Sequence, residues 1–151
     1  MPRVELVTDI AAAPERCFDL SRDLDLHQAS LAHTSERIVA GRTSGLIEMG
    51  EEVTWRARHF GVTHEHTARI TAYDRPRHFR DEMVRGRFKR FVHDHYFEPA
   101  GGGTRMRDVL EFASPVGWLG RAVDFVVMTR YLDRLLRGRS VVIARTAEAE
   151  R

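Results

Sequence analysis

Residues 88–113 read FKRFVHDHYFEPAGGGTRMRDVLEFA, and the period of this stretch decides the fold. Before the glycines, Phe91, His93, His95 and Phe97 share one parity. After them, Met106, Asp108, Leu110 and Phe112 share one. The opposite parity holds Arg90, Asp94, Arg105, Arg107 and Glu111. A period of two belongs to a β-strand, whose successive side chains point to opposite faces. Pro99-Ala100-Gly101-Gly102-Gly103 reads as a turn. Phe88–Glu98 and Thr104–Ala113 are therefore expected to form an antiparallel hairpin.

The same period continues towards the N-terminus. His78–Val84 precedes Arg85-Gly86-Arg87, and Thr63–Tyr73 precedes the turn cluster Asp74-Arg75-Pro76-Arg77. Gly45–Thr54 continues through Trp55–Phe60 to Gly61, and Glu36–Gly41 comes before Arg42-Thr43-Ser44. Strands at even spacing joined by tight turns predict an antiparallel meander. Arg3–Ile10 alternates as a first strand. Pro14 opens a short helix with Cys17, Phe18 and Leu20 on its apolar side, and Asp23 caps a second through Leu24, His27 and Leu31.

After the last strand the period changes. Ser114 is a candidate N-cap and Pro115 suits the first helical position. Leu119, Ala122, Val123, Val126, Leu132, Leu135, Leu136 and Val142 recur at helical steps. A long helix is expected from Pro115 to about Arg145. The order is strand, two short helices, strands, one long helix, and the expected class is α+β: a curved sheet of about seven strands wrapped on the C-terminal helix, as one domain over residues 1–151.

Composition narrows the function. The formal net charge is +2 in 151 residues, Lys89 is the only lysine, and arginine is spread along the chain. The clustered basic surface of a nucleic-acid binder is missing. Cys17 is the only cysteine, so no internal disulfide and no multi-cysteine zinc site can form. The N-terminal residues lack the apolar run of a secretory signal. The most apolar segment, Trp118–Leu136, carries Arg121, Asp124, Arg130, Asp133 and Arg134, which a membrane span would not tolerate cheaply. A cytoplasmic location is expected, with no membrane span and no cofactor.

Several stretches carry a family resemblance: Trp55-Arg56-Ala57-Arg58-His59-Phe60-Gly61, Arg69–Pro76, Phe79–Met83, Gly86-Arg87-Phe88-Lys89, His93–Glu98, Gly103–Asp108 and Pro115-Val116-Gly117. With the element order they resemble the SRPBCC superfamily, which includes START-like lipid-binding domains and polyketide cyclase/dehydrases, and its bacterial ligand-binding branch in particular. The resemblance implies a helix-grip fold with an internal cavity for a small hydrophobic molecule. It implies no catalytic residues, because no catalytic motif is shared across that branch.

The residues themselves place candidates in such a cavity. Strand parity turns inward Val53, Trp55, Ala57 and His59, then His64, His66, Ala68, Ile70 and Ala72, then Phe79, Asp81 and Met83, followed by the inward sets quoted above. Phe125, Met128 and Leu132 of the long helix are expected to complete the wall. Among these, Asp81, His93, His95 and Asp108 can carry chemistry. The two hairpins place Asp81 across from His93 and His95 across from Asp108, near enough for a carboxylate to accept from an imidazole. Four roles stay open for this cluster: a polar network that holds register, recognition of a polar group on the ligand, general-base catalysis by a His oriented by an Asp, and metal binding by His93-x-His95. Paired with carboxylates, the imidazoles look more like hydrogen-bond partners than ligands awaiting a metal.

Overall fold

A computed structural model describes residues 2–32, 35–59, 61–113 and 124–149, apart from the side chains of residues 59, 124 and 125. Its elements are β1 (Arg3–Ile10), α1 (Pro14–Ser21), α2 (Leu24–Ser30), β2 (Arg37–Gly41), β3 (Glu52–His59), β4 (Val62–Asp74), β5 (His78–Arg85), β6 (Arg90–Ala100), β7 (Gly103–Ala113), a π-helical turn (Asp124–Met128) and α3 (Thr129–Ala149). The described strands form one antiparallel sheet in the order β1-β7-β6-β5-β4-β3-β2. The chain climbs the meander from β2 to β7, and β7 then pairs with β1.

The registers follow the turns. Gly101 and Gly102, both at positive φ, make a two-residue hairpin that sets Ala100 opposite Gly103. From there the ladder places His95 opposite Asp108, and the β5–β6 pairing places Asp81 opposite His93. The outer face is stitched in the same registers. Arg56 bonds Glu65, Arg69 bonds Glu52, and Arg80 grips Asp94 with two nitrogens. Asp94 departs from the expected solvated surface: it is 8 % exposed, because Arg80 and His78 both close over it.

Three expected boundaries shift. Residues 45–51 are not strand. Gly45 O accepts from Leu24 N at 2.9 Å and Ile47 N donates to Arg22 O at 3.1 Å, so this segment spends its backbone on the α1–α2 junction. Ala72 does not face inward. The β4–β5 register slips between Ile70 and Ala72, a bulge that reverses parity and turns Tyr73 onto Phe18, with ring centroids 5.4 Å apart. The C-terminal helix buries Leu132, Leu136, Ile143 and Ala147, while Val126 is exposed. The π-helical turn closes i→i+5 instead of i→i+4, which offsets the phase of the stripe expected from Pro115. The candidate cap Ser114 and the residues to Val123 lie outside the described residues.

α3 lies in the concave side of the sheet, its 21 residues spanning about 31 Å at 1.5 Å per residue. Two apolar clusters hold it there. One joins Ile10, Phe18, Phe79, Phe97 and Met106 to Ile143 and Ala147. The other joins Val4, Leu6, Leu110 and Phe112 to Leu132 and Leu136. Between the clusters the inward residues turn polar on every neighbouring element: His93 and His95 on β6, Asp108 on β7, Arg139 on α3.

Candidate functional site

A cavity of about 410 Å³ lies between the sheet and α3, within the usual range for small-molecule sites. Val53, Trp55, Ala57, Ala68, Ile70 and Phe79 supply apolar wall from the sheet, and Leu132, Leu135 and Leu136 supply it from α3. His27 packs on Trp55 at 4.5 Å between centroids, and His66 meets Phe91 edge-on at 4.8 Å.

One part of the wall is polar, and it belongs to the belt between the apolar clusters. Rings stack along it. Phe79 lies 4.1 Å from His95, and His95 lies 3.7 Å from His93. His93 Nε2–H donates to Asp108 Oδ1 at 2.9 Å, and His95 Nε2–H donates to Asp81 Oδ2 at 2.7 Å. The bonds therefore cross the expected pairs. Each Nε2 reaches the carboxylate one pair along the ladder, and His95 also keeps its directly opposite partner through Nδ1, 3.2 Å from Asp108 Oδ1. A diagonal neighbour stands about 7–8 Å away by Cα, within reach of long or aromatic side chains.

Asp108 is the centre of the network. It is fully buried, with His95 Nδ1 at 3.2 Å and Arg139 Nη1 at 3.5 Å from the same Oδ1 that bonds His93. Arg139 is 4 % exposed, and its Nη2 donates to Ser21 O at 2.8 Å. Burial pushes the Asp108 carboxyl up, but the His93 and His95 contacts outweigh it and hold it well below the usual carboxylate range. Asp81 is depressed in the same way: burial opposes, and the His95 bond with the nearby positive charges prevails. The two imidazoles separate. Burial disfavours charge on both. Asp108 and Asp81 together overcome it at His95 and raise its pKa, whereas at His93 burial and the stacked His95 prevail and lower it. The shifts make His95 the imidazole of the pair that favours its proton and His93 the one that favours the neutral form.

The sequence candidates divide on this geometry. Trp55, His66, Ile70, Phe79, Asp81, Phe91, His93, His95, Leu110, Met128 and Leu132 line the cavity. Met83, Met106 and Asp108 do not. Met106 is fully buried in an apolar cluster, Met83 sits under Gly86, and Asp108 stands behind the histidines. The side chains of His59 and Phe125 lie outside the described residues. Sequence reasoning missed the helix junction and the loop after it, where Ser21, Arg22, Leu24 and Ile47 complete the wall, and it missed Arg139. An arginine at a buried step of the α3 stripe was the available signal.

Among the described residues, Asp81, His93 and His95 bring one donor atom each within 4.8 Å of one another, close enough for a metal ion. Two of the imidazole nitrogens there already donate to carboxylates. No described helix is long and apolar enough to cross a membrane.

The model of the polyketide cyclase/dehydrase and lipid transport family matches residues 1–148, and the chain belongs to that family. Solved structures share the fold. TTHA0849 from Thermus thermophilus is 24 % identical, with a TM-score of 0.74 over 97 % of this chain and 99 % of that one. A START superfamily protein from Mycobacterium smegmatis is 12 % identical, with a TM-score of 0.71 over 99 % of each. Major latex-like protein 151 from Panax ginseng is 16 % identical, with a TM-score of 0.70 over 97 % of each. Comparison with curated proteins finds no match.

Proposed function

We propose that the chain, as one domain over residues 1–151, binds a small hydrophobic molecule of lipid-like or polyketide-like character in its internal cavity and serves as a carrier or sensor. The observation that supports this reading is the cavity of about 410 Å³ with its mainly aliphatic and aromatic wall. Its free, buried thiol, Cys17, suits a reducing compartment, and we read the carrier as cytoplasmic. Native mass spectrometry of protein purified from its host is the test. A bound mass released on denaturation is expected. A repeatedly empty protein that also takes up no lipid or polyphenol probe would overturn the reading.

A second reading is an enzyme of the cyclase, dehydratase or hydrolase type, and one observation favours it. His93 lines the cavity, has its pKa lowered by burial and by the neighbouring His95, and has Nε2 fixed by Asp108. Its Nδ1 is then a lone pair presented to a ligand, which is how a general base is arranged. Incubation with enolisable aryl ketones in deuterated water tests it: His93-dependent exchange of the α-proton is expected, and exchange no faster than in buffer sinks it.

A further inference from the structure

Where His93, His95 and Asp81 form the cavity wall, it offers hydrogen-bond acceptors, and the donors of that belt are already committed. His93 Nε2–H goes to Asp108, which leaves Nδ1 as an acceptor. Asp81 Oδ2 takes the proton of His95 Nε2, and the Asp81 side chain remains 23 % exposed, with Oδ1 left to accept. The cations around them face elsewhere. Arg139 gives Nη2 to Ser21 O, and its Nη1 is sealed from the cavity beside Asp108. His95 Nδ1 is sealed in the same place. Arg22 spends its nitrogens on Asp19, Ile47 O and Glu48.

A group buried against this wall must give a hydrogen bond. An acceptor-only head set against these residues, a carboxylate above all, would meet a lone pair and an anionic oxygen in a water-poor place, where Arg139, His95 and Arg22 offer no free donor to offset the loss of its hydration. Resting on the cavity-binding reading, we infer that the ligand is an apolar molecule carrying a hydroxyl, as a phenol, enol or alcohol, that donates to His93 Nδ1, and that Asp81 excludes fatty acids and other carboxylates. The geometry thus chooses among the lipid-like and polyketide-like classes by head group.

Three probes of similar size test this by calorimetry near neutral pH: 2-naphthol, 2-methoxynaphthalene and 2-naphthoate. The expected order is 2-naphthol tighter than its methyl ether by about tenfold, the worth of one buried hydrogen bond, with 2-naphthoate weakest. In His93→Leu the naphthol advantage disappears while the ether binds as before. Should that variant not fold, Asp81→Asn is the second handle and improves 2-naphthoate specifically. Equal binding of naphthol and its ether by the native protein overturns the inference. So does a preference for 2-naphthoate, which would assign the head group to Arg87, exposed where the cavity opens. If none of the three binds, the cavity-binding reading falls first and this one with it.

Discussion

Asp108 accepts the hydrogen bond of His93 at 2.9 Å, although the residue directly opposite Asp108 is His95. This diagonal contact ties β6 to β7 inside the molecule, and Arg139 reaches the same carboxylate from α3. Sheet and helix thus share one buried anion, and the apolar clusters on either side keep water from it.

The first expectation concerns that anion. Asp108→Asn keeps an acceptor for His93 but removes the charge that Arg139 and His95 face. Removing one partner of a buried pair costs about 3–5 kcal/mol, and Arg139→Met is expected to fall in the same range. Urea denaturation of the two single variants and the double measures their coupling. The double should lose clearly less than the sum, and full additivity would show that Arg139 does not act on Asp108.

A second expectation follows from the two imidazoles. His95 has its folded pKa raised above the ordinary 6.5, so its contribution is complete below that value and is lost as pH rises through the folded pKa. His93 is lowered, so its contribution is complete above 6.5 and declines as pH falls. The carboxylates, depressed below 3.8, keep theirs above that value and lose it progressively as pH falls from there towards their folded pKa values. The stability difference between the native protein and His95→Gln, followed across neutral pH by chemical denaturation, should shrink on the alkaline side. A difference that grows there contradicts the assignment.

A third concerns the cavity wall. Ala57 is 5 % exposed and lines the cavity. Ala57→Leu is expected to fill part of that space, leaving stability unchanged or raised by about 0.5–2 kcal/mol. Affinity for 2-naphthol should fall at least about tenfold, the effect of losing good contact in a closed apolar pocket. Calorimetry on the same samples reads both, and undiminished binding would put the ligand elsewhere.

A fourth rests on backbone geometry. Gly41 ends β2 with φ at +75°, and a Cβ there would collide with the carbonyl of Glu52 on β3. Gly41→Ala should cost about 1–3 kcal/mol without changing the charge or the cavity. A thermal midpoint equal to that of the native protein would refute it.

How far the chain could be read beforehand differs by element. The β5–β6–β7 region was readable because its turns are short and its inward residues alternate without interruption. Both expected pairs, Asp81 with His93 and His95 with Asp108, stand opposite each other. The 45–51 segment was not readable. Leu46 and Ile47 look like strand, but their backbone partners come from the α1–α2 junction, and no local pattern announces so distant a pairing. Ala72 was misplaced because a single bulge reverses parity without any compositional mark.

The sequence by itself determined the sheet, most of its inward face and the row of inward histidines and aspartates on its last three strands, because strand period and turn chemistry are local properties of the chain. Only the tertiary structure decided which imidazole holds which carboxylate, that Arg139 joins them, and that the cavity wall runs on into the helix junction. Those outcomes depend on ring orientation and on the rotational phase at which α3 docks. Both are set by packing among residues far apart in sequence, so neither leaves a period to read.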